Sequence, residues 1–330
     1  MEKAMDKLVA VITDGNLRGL ADLLQARVGE GVELRWPTGP KATMAALADA
    51  DALVGGRFDA QLAGAAPRLR LVQVSGAGTD GVDRSVLRPG VALANTYHHQ
   101  DAMAEYAVWA AIGLRRGLVT ADDQLRQGFW ASPAQNAELP LPVGLAGARI
   151  GLYGFGHVGE RAWRAFASFG ATGAAVTGRG AVDADAHGLA WAGGPEQLAR
   201  LCAESDILLV SAPLTEQTRG AVGPAEIEAL GSDGILINVA RGPVVAEQAL
   251  YEALRDQRLG AAAIDVWYHY PPAGEPVGAP SDLRFGKLEN VLLTPHISGV
   301  ARSTFEGRVG DIARNLLALR DGTPLVNLVI

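Results

Sequence analysis

The sequence predicts two α/β domains, each built on a parallel sheet. Three observations carry this. The chain has 330 residues, about two domains at the usual ~150 residues each. Short apolar runs alternate with longer, Ala-rich helical stretches in two successive series, the pattern of repeated strand–helix units. The apolar runs are nearly continuous rather than alternating, which suits strands buried on both faces of a parallel sheet. Apolar residues make up 48% and charged residues 20% of the chain, as in folded globular proteins and unlike disordered ones.

The first series opens with LVAVI (8–12) as a strand and a helix from Leu17 to Val28. DALVGG (51–56), LRLVQVSG (69–76) and VALANT (91–96) read as further strands. A long helical stretch, 102–130, follows, and the Pro/Gly-rich ASPAQNAELPLPVGLAG (131–147) reads as a linker or arm. The second series has strands ARIGLYG (148–154), GAAVT (173–177), DILLVSA (206–212), ILINVA (235–240), GAAAIDVW (260–267) and NVLLTPH (290–296). Helices are expected at 157–169, 195–203 and 246–257, and a last one at 301–320. Ligands in such folds gather at the C-terminal ends of strands, so residues just after the strands are the functional candidates.

Composition excludes several function classes. The net charge is −7 with no basic run, which argues against nucleic-acid and membrane partners. The single Cys202 excludes a disulfide framework and a cysteine-based zinc site. The N-terminal apolar run, Leu8 to Ile12, is too short for a signal-peptide core. No run reaches the ~20 apolar residues of a spanning helix. A cytoplasmic enzyme or small-molecule binder is expected, with no metal.

The spacing G-x-G-x-x-G occurs twice, at Gly76-Ala77-Gly78-Thr79-Asp80-Gly81 and at Gly154-Phe155-Gly156-His157-Val158-Gly159. Only the second follows a clear strand and runs straight into a long amphipathic helix. There the glycines permit a tight turn, approach of backbone to a pyrophosphate, and close helix–strand packing, and the first N–H groups of the helix hold phosphate. Gly154, Gly156, His157, Val158 and Gly159 are therefore candidate dinucleotide contacts. The first copy leads into the broken segment VDRSVLRPG. It reads either as a turn at a strand end or as a backbone nest for an anion. A carboxylate at the end of the next strand would hold the ribose 2′-hydroxyl of NAD. That strand ends in Thr177-Gly178-Arg179 instead. Thr177 and Arg179 suit a 2′-phosphate, so NADP is favoured, with NAD the alternative.

Seven segments in order carry a resemblance over nearly the whole chain: VQVSGAGTDGVD (72–83), AMAEYAVWAAIGL (102–114), GLYGFGHVG (151–159), SAPLTEQTRG (211–220), ILINVARGPVVAEQAL (235–250), AAAIDVW (261–267) and NVLLTPHISG (290–299). Together they resemble the D-isomer-specific 2-hydroxyacid dehydrogenases, and TGR (177–179) resembles the NADPH-preferring glyoxylate/hydroxypyruvate reductases among them. The resemblance implies a flavodoxin-like substrate domain, 1–101 plus 298–330, and a Rossmann dinucleotide-binding domain, 102–297. It implies an oxidoreductase acting between NAD(P)H and a small anionic 2-oxo or 2-hydroxy acid. Arg241 would clamp the substrate carboxylate and carbonyl oxygen, since a planar guanidinium offers parallel donors. His296 would give the carbonyl its proton as hydride arrives, because imidazole titrates near neutrality. Asp265 would face the nicotinamide, with a turn cap as the structural alternative. Pro213 and Val239 would line the cofactor, and the backbone of Gly76, Ala77 and Gly78 would receive the substrate carboxylate. The 102–130 helix and the arm resemble the dimer-forming part of the family. Val108, Trp109, Ile112 and Leu114 then await a partner surface or the chain's own core, and a homodimer is expected.

The chain departs from the family in two places. The family has a Glu five residues after the Asp of the DV segment, hydrogen-bonded to the catalytic His; here position 270 is Tyr. Three explanations compete. A working reductase has Tyr270 in the Glu's place, orienting the ring by a hydrogen bond and favouring a more acidic optimum. Glu275 of Gly274-Glu275-Pro276 folds back to supply the carboxylate. Or the reaction needs little acid–base help, as with an unusual anionic substrate or a non-catalytic dinucleotide sensor. A neighbouring carboxylate is worth ~1–3 pH units of proton affinity, so its loss is not a detail. Second, small residues are usual where His98 and His99 stand. They meet either an extra anionic group or water, with His99 the candidate substrate contact.

Overall fold

The computed structural model describes residues 7–272 and 275–329. Gly274, which the Glu275 alternative runs through, lies outside them, as do the outermost residues of the expected substrate domain. The chain divides into two compact units, Met1–His98 with Ala301–Ile330, and His99–Val300.

The first unit contains β1 (Leu8–Ile12), α1 (Ala21–Val28), β2 (Val32–Arg35), α2 (Pro40–Leu47), β3 (Ala52–Val54), α3 (Ala60–Ala65), β4 (Leu71–Gln73) and β5 (Ala92–Ala94). The strands form one all-parallel sheet in the order β2-β1-β3-β4-β5. That is the flavodoxin-like order. LVAVI is buried at every position, as expected of a strand covered on both faces. At the start of α3, Asp59 Oδ1 accepts from the Leu62 amide at 3.0 Å and caps the helix.

The second unit contains α4 (Gln100–Arg115), α5 (Leu118–Arg126), β6 (Arg149–Tyr153), α6 (His157–Ser168), β7 (Thr172–Val176), α7 (Ala184–His187), β8 (Trp191–Gly193), α8 (Leu198–Ala203), β9 (Ile207–Val210), α9 (Pro224–Leu230), β10 (Ile235–Asn238), α10 (Glu247–Arg255), β11 (Ala261–Ile264) and β12 (Val291–Leu293). Its sheet is parallel throughout, in the order β12-β11-β10-β9-β6-β7-β8. This is the doubly wound Rossmann order extended by one strand. The C-terminal helix α11 (Arg302–Asp321) returns to the first unit, where Val309, Ile312, Ala313 and Leu316 join the core over β1 and β3. Each sheet has an apolar layer on both faces.

The structure corrects one expectation and adds two strands. The 102–130 helix is two helices, because Gly117 adopts φ 62, a left-handed conformation that ends α4 before α5 begins. The strands Val32–Arg35 and Trp191–Gly193 are absent from the sequence reading. Both lie at sheet edges and are partly exposed, so they carry no continuous apolar run. Val108, Ile112 and Leu114 pack on the unit's own core, whereas Trp109 is 50% exposed. No helix among the described residues is long and apolar enough to cross a membrane.

Candidate active site

In the second unit the expected cofactor residues follow the C-terminal ends of adjacent parallel strands. Tyr153, the last residue of β6, pairs with Val176 on one side and Val210 on the other. Gly154 thus sits where the strand order changes direction, the usual ligand position in such sheets. The three glycines have different physical reasons. Gly154 adopts φ 102, and a Cβ there would stand 2.6 Å from the Ala212 amide nitrogen. At Gly159 a Cβ would stand 2.2 Å from the Gly154 carbonyl oxygen, so the helix packs against the turn. A Cβ at Gly156 would meet nothing within 4 Å. Gly156 is the N-cap of α6 and brings no side-chain cap. The space beside Gly156, at the positive end of α6, fits a pyrophosphate. This arrangement fits a nicotinamide dinucleotide.

After β7 the chain turns through Thr177, whose Oγ1 accepts from the Gly180 amide at 3.1 Å. The residues that follow the strand, Thr177-Gly178-Arg179, bring no carboxylate of their own. Arg179 is exposed. Pro213 is exposed beyond β9, and its carbonyl accepts from Thr218 Oγ1 at 2.6 Å. Val239 is 3% exposed, and its amide donates to the Val210 carbonyl at 3.1 Å.

Beyond β10 the buried Asn238 holds the turn that carries Arg241. Its Oδ1 accepts from the Ala240 amide at 3.1 Å and its Nδ2 donates to the Arg241 carbonyl at 3.1 Å. Arg241 Nη1 donates to the Ala240 carbonyl at 2.8 Å. A Cβ on Gly242 would lie 2.4 Å from the Trp267 carbonyl oxygen, so this turn is pressed against the segment after β11.

Asp265 has no exposed surface. Its Oδ1 accepts from Thr294 Oγ1 at 2.7 Å and the Ile297 amide at 2.8 Å, and Oδ2 accepts from the Ser298 amide at 2.9 Å. The side chain expected to face the nicotinamide therefore staples the loop after β12. Tyr106 of α4 extends the chain of donors, its hydroxyl 2.8 Å from Thr294 Oγ1. Burial pushes its phenol up to about 12, so it stays a neutral donor. Between the stapled residues stands His296, exposed and at φ 58. This left-handed conformation is uncommon outside glycine and persists where surrounding contacts over-determine it.

Tyr270 and His296 meet through their rings. Their ring centroids are 5.6 Å apart at 53°. The Tyr270 oxygen accepts from the Trp267 amide at 3.1 Å. Burial raises its pKa, and a phenol held neutral adds no charge beside the imidazole. Glu275 is exposed, and its amide donates to the Pro272 carbonyl at 3.0 Å.

In the first unit the Gly76–Gly78 loop follows β4. The Thr96 amide donates to the Gly76 carbonyl at 3.0 Å, and Asn95 Nδ2 donates to the Ala77 carbonyl at 2.9 Å. Only a short turn at Arg84–Val86 follows, so this G-x-G-x-x-G opens no helix. His98 keeps part of its side chain exposed and is engaged within its own unit. Its Nε2 is 2.8 Å from the Oδ2 of Asp311 on α11, itself 7% exposed. A Cβ on Gly307 would lie 2.5 Å from the ring. His99 belongs to the second unit, where it starts α4 and lies against Gly299. The sequence reading missed Asn238, Thr294 and Tyr106. Their segments were visible, but their pairing is between strands far apart in the chain.

The two parallel sheets and the glycine turn define a two-domain α/β protein of the dinucleotide-binding class. The profile described as D-isomer specific 2-hydroxyacid dehydrogenase, NAD binding domain, matches residues 108–298. A glyoxylate reductase of Thermococcus kodakarensis is 31% identical over 281 residues, covering 83% of this chain and 81% of the relative. A glyoxylate/hydroxypyruvate reductase A of Arabidopsis thaliana is 32% identical over 274 residues, 82% of each chain. Among solved structures, the NADPH-dependent glyoxylate/hydroxypyruvate reductase of Sinorhizobium meliloti, in complex with NADP and malonate, superposes with a TM-score of 0.77 at 28% identity, covering 98% of this chain and 97% of that one. The chain belongs to the D-isomer specific 2-hydroxyacid dehydrogenase family and is an oxidoreductase.

Proposed function

We propose that the protein reduces a small 2-oxo acid to the D-2-hydroxy acid, with NADPH preferred over NADH. The supporting observation is that one sheet edge in the second unit carries the dinucleotide turn after β6, Arg241 after β10 and His296 after β12. In this reading Arg241 takes the substrate carboxylate and orients the carbonyl. The bound nicotinamide supplies the hydride. His296 gives its proton to the carbonyl oxygen as the carbon is reduced, and the stapled loop holds the imidazole in place. Tyr270 contributes ring contact rather than charge. Thr177 and Arg179 favour a 2′-phosphate, and the NADP complex of the Sinorhizobium relative agrees with that preference. The exposed Trp109, Leu125, Phe129, Trp130 and Leu141 support a homodimer covering this face, which sedimentation at micromolar concentration measures.

The test is oxidation of NADPH and NADH with glyoxylate, hydroxypyruvate and pyruvate at pH 5.5 and 7.5. We expect turnover with NADPH, faster at the lower pH, and a smaller NADPH-to-NADH ratio of kcat/KM in Arg179→Ala. Absence of turnover with every 2-oxo acid, despite NADPH binding, refutes the reading.

A further inference from the structure

The loop that carries His296 is fastened from a second side, by α4. On that helix Ala104, Ala107 and Ala111 recur at helical spacing and are buried in the core that also holds Ile237, Val239 and Ala263. The helix thus lies against β10 and β11. Tyr106 stands beside this alanine stripe, partly buried, its ring packed on that of Trp109 with centroids 5.9 Å apart at 54°. Its hydroxyl reaches the end of β12, 2.8 Å from Thr294 Oγ1.

The chemistry of the contact fixes which way its protons point. Thr294 Oγ1 donates to Asp265 Oδ1 at 2.7 Å. A hydroxyl has one proton to give, so toward Tyr106 the threonine oxygen accepts, and the Tyr106 hydroxyl is the donor. Burial and the Asp265 carboxylate both keep that phenol protonated. Beyond Asp265 the chain of bonds ends on the amides of Ile297 and Ser298, the two residues that follow His296. The backbone of Thr294 is held by other means: its amide donates to the Ile264 carbonyl at 3.0 Å, and its carbonyl accepts from Trp267 Nε1 at 2.8 Å. What the Tyr106 hydroxyl adds is the orientation of the Thr294 side chain, and through it the orientation of the Asp265 carboxylate.

We propose that Tyr106 is a positioning residue: through Thr294 and Asp265 it fixes the loop of His296 in the conformation that serves the reaction. This rests on the reductase reading above and deepens it. Every residue in the chain of bonds belongs to the second unit. The chain transmits position and carries no proton to the substrate.

The test is a double-mutant cycle on Tyr106→Phe and Thr294→Val. It is read as kcat and KM for NADPH and glyoxylate, and as hydrogen exchange at the Ile297 and Ser298 amides. In Tyr106→Phe kcat falls about 2–10-fold, the worth of one neutral hydrogen bond, while both KM values hold. The two amides exchange faster by a similar factor. Thr294→Val loses more, because it also removes a donor to Asp265. Tyr106→Phe then adds nothing to it, since residues acting in one network do not sum. Thr294→Ser, which keeps the hydroxyl, recovers most of what Thr294→Val loses. A tyrosine that only packs the core would shift the melting temperature and leave kcat alone. Unchanged kcat in Tyr106→Phe overturns the proposal, as does a loss that adds in full to that of Thr294→Val. If the native protein turns over no 2-oxo acid, the reductase reading fails and exchange alone judges Tyr106. Faster exchange at Ile297 and Ser298 in Tyr106→Phe, with β6 and β9 unchanged, sustains the positioning role. Unchanged exchange at the two amides overturns it.

Discussion

Replacing Asp265 by Ala should unfasten the loop that carries His296. The carboxylate takes three donors, Thr294 Oγ1 and the amides of Ile297 and Ser298. The Ser298 donor is fully buried and the Ile297 amide partly so. Orphaning two such amides costs about 1–3 kcal/mol each, roughly 2–6 kcal/mol in all. The left-handed His296 is itself held at a cost of order 1–3 kcal/mol, so without the staple the loop has no reason to keep that conformation. Strand β11 and its neighbours do not depend on these bonds, and the fold should survive. The expected outcome is a loss of about 10²-fold in kcat/KM, the effect of an ångström-scale misplacement of a reacting group. The Ile297 and Ser298 amides should exchange with solvent correspondingly faster. Asp265→Asn keeps one acceptor oxygen and should fall between. Unchanged amide protection in Asp265→Ala would refute the staple argument. Protection lost with kcat/KM retained would leave the staple intact and sink the role of His296.

Two further perturbations separate packing from chemistry. Gly159→Ala drives a Cβ into the Gly154 carbonyl and should lower the melting temperature by several degrees. Gly156→Ala meets nothing, so it should melt like the native protein yet bind NADPH more weakly, as titration calorimetry would show; equal binding would argue against a pyrophosphate there. Asp206 accepts three bonds from Arg149, at 2.8, 3.1 and 2.6 Å. Burial pushes its carboxyl up, but these bonds outweigh it and hold the group below its ordinary value. A carboxylate depressed in the folded state stabilises above the unfolded value of about 3.9 and loses that contribution as pH falls through the folded one. Asp206→Asn should therefore be about 1 kcal/mol less stable at pH 7, with the gap closing on acidification; denaturant melts that show a constant gap down to pH 2 would contradict this.

Much of the molecule follows from local pattern. Continuous apolar runs such as ILLV and ILIN announce strands buried on both faces, because burial on both faces demands it. The contrast between Gly154–Gly159 and Gly76–Gly81 was legible because a helix of one length must follow one turn and cannot follow the other. The edge strands Val32–Arg35 and Trp191–Gly193 were not legible, since half-exposed positions need no particular residue. Nor could spacing along the chain tell which groups meet across it. Tertiary structure alone decided that Asp265 spends its oxygens on the His296 loop, that the Tyr270 oxygen accepts from the Trp267 amide, and that His98 pairs with Asp311 more than two hundred residues away. Hydrogen-bond partners are set by the geometry of parallel strands and returning helices. A residue's type says what it can donate or accept, and only the fold says to whom.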